Sequence, residues 1–236
     1  MMKRAPFITC QNRILQYKII NRQIVLLRSL SRTITVTVNK NETVMISKQK
    51  RNIYIIHGYQ ASPNDHWFPW LSQQLNQSGH VSKRIILAES AQPNFAYWQK
   101  LLASQLSKLD ANSIIIAHSL GCIAALHYLT DYFRQHRGKI RAGIFVAGFM
   151  SPLRALPELD SFIQQVNLDS SLLAKHIPLS VCLLSSNDTY VAPPQTIQLA
   201  NFIQAQTVEI KNAGHFMAND GYTEFQRLYD VLKPLL

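Results

Sequence analysis

The chain has 236 residues, 47% of them apolar and 16% charged, which allows one domain with a full hydrophobic core and excludes a disordered chain. No apolar run is long enough to cross a membrane as a helix, and Cys10, Cys122 and Cys182 stand far apart without a Cys-x-x-Cys pair, which argues against a disulfide framework or thiolate metal site and suits a reducing, cytoplasmic setting. The net charge of +11 is uneven: residues 1–51 hold eleven Lys and Arg against one acid, Glu42, and the remainder is close to neutral.

Residues 12–30 mix apolar and basic side chains with no acid, the composition of amphipathic targeting or anionic-surface segments. Residues 33–38 alternate with period two, 39–42 read as a turn and 43–46 continue apolar, so a hairpin is expected there. Phe7 and Tyr17 are the only aromatics among residues 1–51, and no nucleic-acid fold is recognisable, so no nucleic-acid partner is expected. Residues 1–51 are read as a basic N-terminal extension, with Met45 as an alternative start, and 52–236 as the folded domain. A second reading keeps the fold without the chemistry and makes the basic arm a binder of anionic partners.

From residue 52 the pattern is regular. Strands are expected at 53–56, 81–87, 113–117, 142–147, 179–184 and 208–210, separated by helices through Trp67 to Leu75, Trp98 to Leu109, Leu120 onward, Ile197 to Ile203 and Phe225 to Leu232. Strands alternating with helices give a mostly parallel six-stranded sheet with helices on both faces. Residues 148–177, with Met150, Leu153, Leu156 and Phe162, are more apolar than a crossover needs and are the expected lid.

Ligands in such sheets bind beyond the carboxyl ends of the strands. Ala117-His118-Ser119-Leu120-Gly121 follows the third strand and matches the G-x-S-x-G nucleophile elbow, with Ala117 in the first glycine position. Asp188 follows the fifth strand and His215 the sixth, completing the chain order Ser, Asp, His of α/β-hydrolases. Ser119, Asp188 and His215 are therefore the candidate catalytic residues. The backbone amides of Tyr59 and Leu120 are the candidate oxyanion donors. Trp67, Met150, Phe162 and Phe216 are candidates for the substrate pocket. Asp220 is expected to cap the final helix rather than serve as the acid. The imidazole of His118 is expected to point to a helix or the sheet rim, and that of His57 to hydrogen-bond under its loop. No histidine spacing fits a metal site, and no cofactor is expected.

The blocks Ile55-Ile56-His57-Gly58-Tyr59-Gln60-Ala61-Ser62-Pro63, His66-Trp67-Phe68-Pro69-Trp70-Leu71, Ala117 to Gly121, Ser186-Asn187-Asp188 and Gly214-His215-Phe216 resemble the YdeN-like small serine hydrolases related to retinoblastoma-binding protein 9. The resemblance covers about residues 52–236. It implies a minimal α/β-hydrolase fold and serine-hydrolase activity on small acyl substrates, usually esters. The Leu-x-Cys-x-Glu partner motif of the vertebrate member is missing, since Leu120-Gly121-Cys122-Ile123-Ala124 lacks the acid, so retinoblastoma binding is not expected.

Overall fold

The computed structural model describes residues 49–106 and 108–236 and, within residues 1–48, the backbone of four strands. The chain divides into two units, Met1–Lys48 and Gln49–Leu236. In the first, β1 (Phe7–Cys10), β2 (Arg13–Ile20), β3 (Gln23–Leu26) and β4 (Val36–Thr37) form an antiparallel sheet in that order. Residues 13–20 and 23–26, expected within an amphipathic segment, are thus strands, in keeping with the β-branched and aromatic content of Ile14, Tyr17, Ile19, Ile24 and Val25. Val36 pairs with Ile24 of β3. Residues 43–46, the expected partner, lie outside the described residues.

The second unit runs β5 (Asn52–Ile56), α1 (Phe68–Gln77), β6 (Val81–Ile85), α2 (Phe95–Gln105), β7 (Ser113–His118), α3 (Leu120–Gln135), β8 (Ala142–Val146), α4 (Asp160–Ile163), α5 (Ser170–His176), β9 (Ser180–Ser185), α6 (Pro193–Phe202), β10 (Gln206–Ile210) and α7 (Gln226–Leu232). Its six strands lie in the order β10-β9-β8-β7-β5-β6, and every pairing is parallel. The central β7 and β8 are buried along their whole length, as their unbroken apolar runs require, whereas the edge strand β6 exposes Val81 and Lys83. Side chains alternate across the sheet. Ile114, Ile116, Ile144 and Leu183 join Phe68, Leu71 and Leu75 of α1 and Leu228 and Leu232 of α7 on one face. Ile115, Ala117, Phe145 and Cys182 join Leu102 of α2, Leu173 of α5, Leu199 of α6 and most of α3 on the other. Among α3 residues, Gly121, Cys122, Ile123, Ala124 and Ala125 are all buried, so this helix is wrapped on several sides.

Two helix starts explain themselves locally. Asn94 accepts a hydrogen bond from the Tyr97 amide at 2.9 Å and caps α2. Pro193 and Pro194 open α6, where a missing N–H costs nothing. That pushes α6 four residues ahead of the expected start at Ile197.

Arg51 corrects the expected extent of the extension. It is buried, its amide donates to His80 Nδ1 at 3.2 Å, its carbonyl accepts from the Val81 amide at 2.8 Å, and its guanidinium donates to Asn112 Oδ1 at 3.0 Å. It belongs to the second unit, where its backbone ties β5 to the start of β6. The expected lid also packs as core in large part: Leu153, Leu159, Phe162, Ile163 and Leu173 are all buried against α2 and α3.

Candidate active site

The strand order brings the carboxyl ends of β7, β9 and β10 to one edge of the sheet. Ser119 joins β7 to α3 with φ 53° and ψ −127°, a conformation that costs a non-glycine residue about 1–3 kcal/mol. Neighbouring glycines make the turn possible. A Cβ on Gly121 would stand 2.3 Å from the His57 carbonyl oxygen, and one on Gly58 would stand 2.9 Å from the His118 carbonyl and 3.1 Å from the Leu120 nitrogen. The loop after β5 and the elbow therefore touch backbone to backbone. That contact sets Gly58, the residue before Tyr59, beside the nitrogen of Leu120, the first residue of α3, where the helix dipole adds positive potential.

His215 Nε2 lies 2.9 Å from Ser119 Oγ, and its Nδ1–H donates to Asp188 Oδ2 at 2.7 Å. The other carboxylate oxygen, Oδ1, accepts from the amides of Tyr190 and Val191, both at 2.9 Å, which fixes the plane of the acid. All three side chains are buried to within a few per cent. The structure thus brings together the three residues that the strand ends single out.

The loop bearing His215 is stitched to the loop bearing Asp188. The amides of Asn212, Ala213 and Gly214 donate in turn to Ser186 Oγ at 2.9 Å, Ser185 Oγ at 3.0 Å and Asn187 Oδ1 at 2.8 Å. The next amide, that of His215, donates to Asp220 Oδ2 at 2.8 Å, and Met217 donates to the same oxygen at 3.0 Å. Asp220 therefore caps the short turn Ala218–Asp220 and not α7, because the reversal at Gly214, with φ +56°, brings those amides within its reach.

His57 hydrogen-bonds under its loop. Its Nδ1–H donates to the Gly58 carbonyl at 3.0 Å and its Nε2 accepts from the Leu87 amide at 3.1 Å, an arrangement only the neutral ring can make. Burial pushes its pKa down. His118 points to the start of α1, where its ring packs against Trp67 and Phe68, and it also reaches the loop that bears His215. Its Nε2 lies 2.8 Å from the carbonyl oxygen of His215. Complete burial, with the positive potential of His215 adding to it, pushes its pKa well down.

Three of the four pocket candidates are core side chains and do not face solvent. Trp67 packs edge-on against Phe68 and Phe225, Phe162 against Phe95 and Trp98, and Phe216 stacks on Phe225. Met150, in the loop after β8, is only half-buried. A residue not singled out from the sequence is Tyr190, whose exposed ring lies 5.3 Å from the His215 ring. Its place two residues after Asp188, in the turn that the carboxylate caps, was the available signal. The Tyr59 hydroxyl donates to Glu158 at 3.1 Å, which joins the loop after β5 to the segment after β8. Among the described residues no group of three or more His, Cys, Asp or Glu is arranged to hold a metal ion, and no helix is long and apolar enough to cross a membrane.

A parallel six-stranded sheet flanked by helices, with a serine on the strand-to-helix turn of its third strand in sequence, is the architecture of an α/β-hydrolase. The family described as Serine hydrolase matches residues 53–234, and the chain belongs to it. It is 34% identical over 182 residues to YdeN of Bacillus subtilis (strain 168), covering 77% of this chain and 94% of that protein. The crystal structure of the B. subtilis ydeN gene product superposes with a TM-score of 0.75 at 33% identity, covering 79% of this chain and 98% of that one. The serine hydrolase RBBP9 of Rattus norvegicus is 23% identical over 171 residues, covering 72% of this chain and 86% of that protein.

Proposed function

We propose that this chain is a carboxylesterase that hydrolyses small acyl esters through an acyl-enzyme on Ser119. The observation that carries the reading is the pair of hydrogen bonds at 2.9 and 2.7 Å that link Ser119 Oγ, His215 and Asp188. A serine hydroxyl is a weak nucleophile at neutral pH and needs a base within hydrogen-bond reach. His215 Nε2 takes the hydroxyl proton as Oγ attacks the ester carbonyl, then gives it to the departing alkoxide. Water repeats the sequence on the acyl-enzyme, and the carboxylic acid leaves. Asp188 keeps the His215 proton on Nδ1 and stabilises the imidazolium formed in each step. The oxyanion of each tetrahedral intermediate is received by the amides of Leu120 and Tyr59; loss of one such donor typically costs about 3–4 kcal/mol of barrier. None of these steps calls for a metal or cofactor.

Tyr190, whose ring lies 5.3 Å from that of His215, is the side chain that borders the acyl or alcohol group in this reading, and Met150 remains the pocket candidate that is not fully buried. A reducing, cytoplasmic setting is supported by the buried free thiols of Cys122 and Cys182. The test is steady-state and burst kinetics on p-nitrophenyl esters from acetate to octanoate. The expected result is saturable turnover of the short esters with a burst of p-nitrophenol. Absence of turnover on every carboxylic ester would overturn the reading.

A further inference from the structure

We propose that His118 is a positioning residue, whose imidazole holds the base His215 at its working distance from Ser119; the proposal rests on the esterase reading above. His118 ends β7 in the row of Ile114 and Ile116, whose side chains enter the core beneath α1. An apolar residue would continue that row. Instead an imidazole is buried against Trp67 and Phe68, with ring centroids at 6.1 and 5.9 Å. Among the described residues its Nδ1 has no hydrogen-bond partner, a cost of about 1–3 kcal/mol for a buried polar atom. What the ring gains is one bond, from Nε2–H to the His215 carbonyl at 2.8 Å.

That bond closes a small ring of contacts. His118 is joined covalently to Ser119, its side chain holds the His215 main chain, and the His215 side chain returns to Ser119 Oγ at 2.9 Å. Without it, the main chains of serine and base, almost a hundred residues apart in sequence, are related through the intervening strands β8 and β9 and the loops at the sheet edge. Asp220 holds the His215 amide, so both polar atoms of the base's main chain are held by side chains, and the carbonyl contact leads directly to the nucleophile. A carbonyl can only accept, so the His118 proton resides on Nε2. Burial and the neighbouring imidazoles keep the ring neutral, so it does not compete for the proton that His215 carries.

The test compares His118→Gln with His118→Met, two unbranched side chains of similar length, of which only Gln carries an N–H at the position of Nε2. His118→Met is expected to lower kcat on a short p-nitrophenyl ester about twentyfold with KM within about twofold, the signature of a misplaced but intact catalytic group. His118→Gln is expected to be at least about fivefold faster than His118→Met at a closely similar Tm. Equal kcat values for the two variants, a loss confined to KM, or failure of both to fold would overturn the proposal. A Ser119→Ala control separates the two questions. Full turnover by that variant would remove the esterase reading itself, whereas its inactivity beside equal Gln and Met rates would remove the role of His118 alone.

Discussion

Asp220 Oδ2 lies 2.8 Å from the main-chain nitrogen of His215, while Asp188 Oδ2 lies 2.7 Å from Nδ1 of the same residue. Two carboxylates thus hold one histidine, one by its backbone and one by its ring, and only the ring contact can select the tautomer that leaves Nε2 free to accept. Asp188→Asn is therefore expected to lower kcat by about 10⁴, as when the tautomer is lost in other serine hydrolases. Asp220→Asn keeps an acceptor oxygen for the His215 and Met217 amides and is expected to cost less than about tenfold. Steady-state kinetics of the two variants check this; the reverse order of severity would assign the acid to Asp220.

The elbow depends on close passage of two backbones, and Gly121 is its tightest point. A methyl group there would meet the His57 carbonyl oxygen at 2.3 Å, against main chain that cannot swing aside. Gly121→Ala is expected to destabilise the fold by about 3 kcal/mol or more, the upper range for overpacking. Urea unfolding measures it, and a loss under about 1 kcal/mol would show that the loop after β5 yields easily.

The positions of Ser119, Asp188 and His215 were legible because topology does most of the work. Once 113–117 reads as a buried strand followed at once by His118 and Ser119, the serine must fall at the ligand edge of the sheet. The pocket was less legible. Trp67, Phe162 and Phe216 have the composition of a substrate wall and of a core alike, and burial against Phe225, Phe95 and Trp98 decides between them. The direction of the His118 imidazole depends on the three-dimensional path of a loop 97 residues away. Arg51 read as the last cation of the basic N-terminal extension because nothing local announces that Asn112 receives its guanidinium.

Acid lability follows from the histidines. Burial lowers the pKa of His57 and of His118 below the ordinary 6.5. As pH falls through 6.5 the unfolded chain gains protons at these sites while the native chain does not, so stability is full above that value and is lost below it. Each group contributes a slope of at most about 1.4 kcal/mol per pH unit within that window. Urea unfolding between pH 8 and 5 should therefore give a falling free energy below 6.5, with a shallower slope in His118→Gln. A free energy that rises on acidification, or an unchanged slope in the variant, would contradict this.

The candidate catalytic groups and the six-stranded sheet all lie in the unit Gln49–Leu236. A chain beginning at Met45 retains Arg51 and its link to β6, and is expected to fold cooperatively with kcat/KM for a small ester within about threefold of the full chain, roughly 0.7 kcal/mol in barrier. Parallel thermal melts and ester kinetics of the two chains test this. Aggregation of the shorter chain, or a melting point lower by many degrees, would show that the first unit supports the second.

The claim on which the account turns is that Ser119 is the nucleophile, and covalent capture addresses it without assuming a substrate. The full chain and Ser119→Ala are incubated with a fluorophosphonate probe and their intact masses compared. The account predicts one adduct per chain, mapped by peptide mass to Ser119, and none on Ser119→Ala at an unchanged melting temperature. Labelling of the folded Ser119→Ala chain to the same extent, or an adduct mapped to another residue, would contradict it.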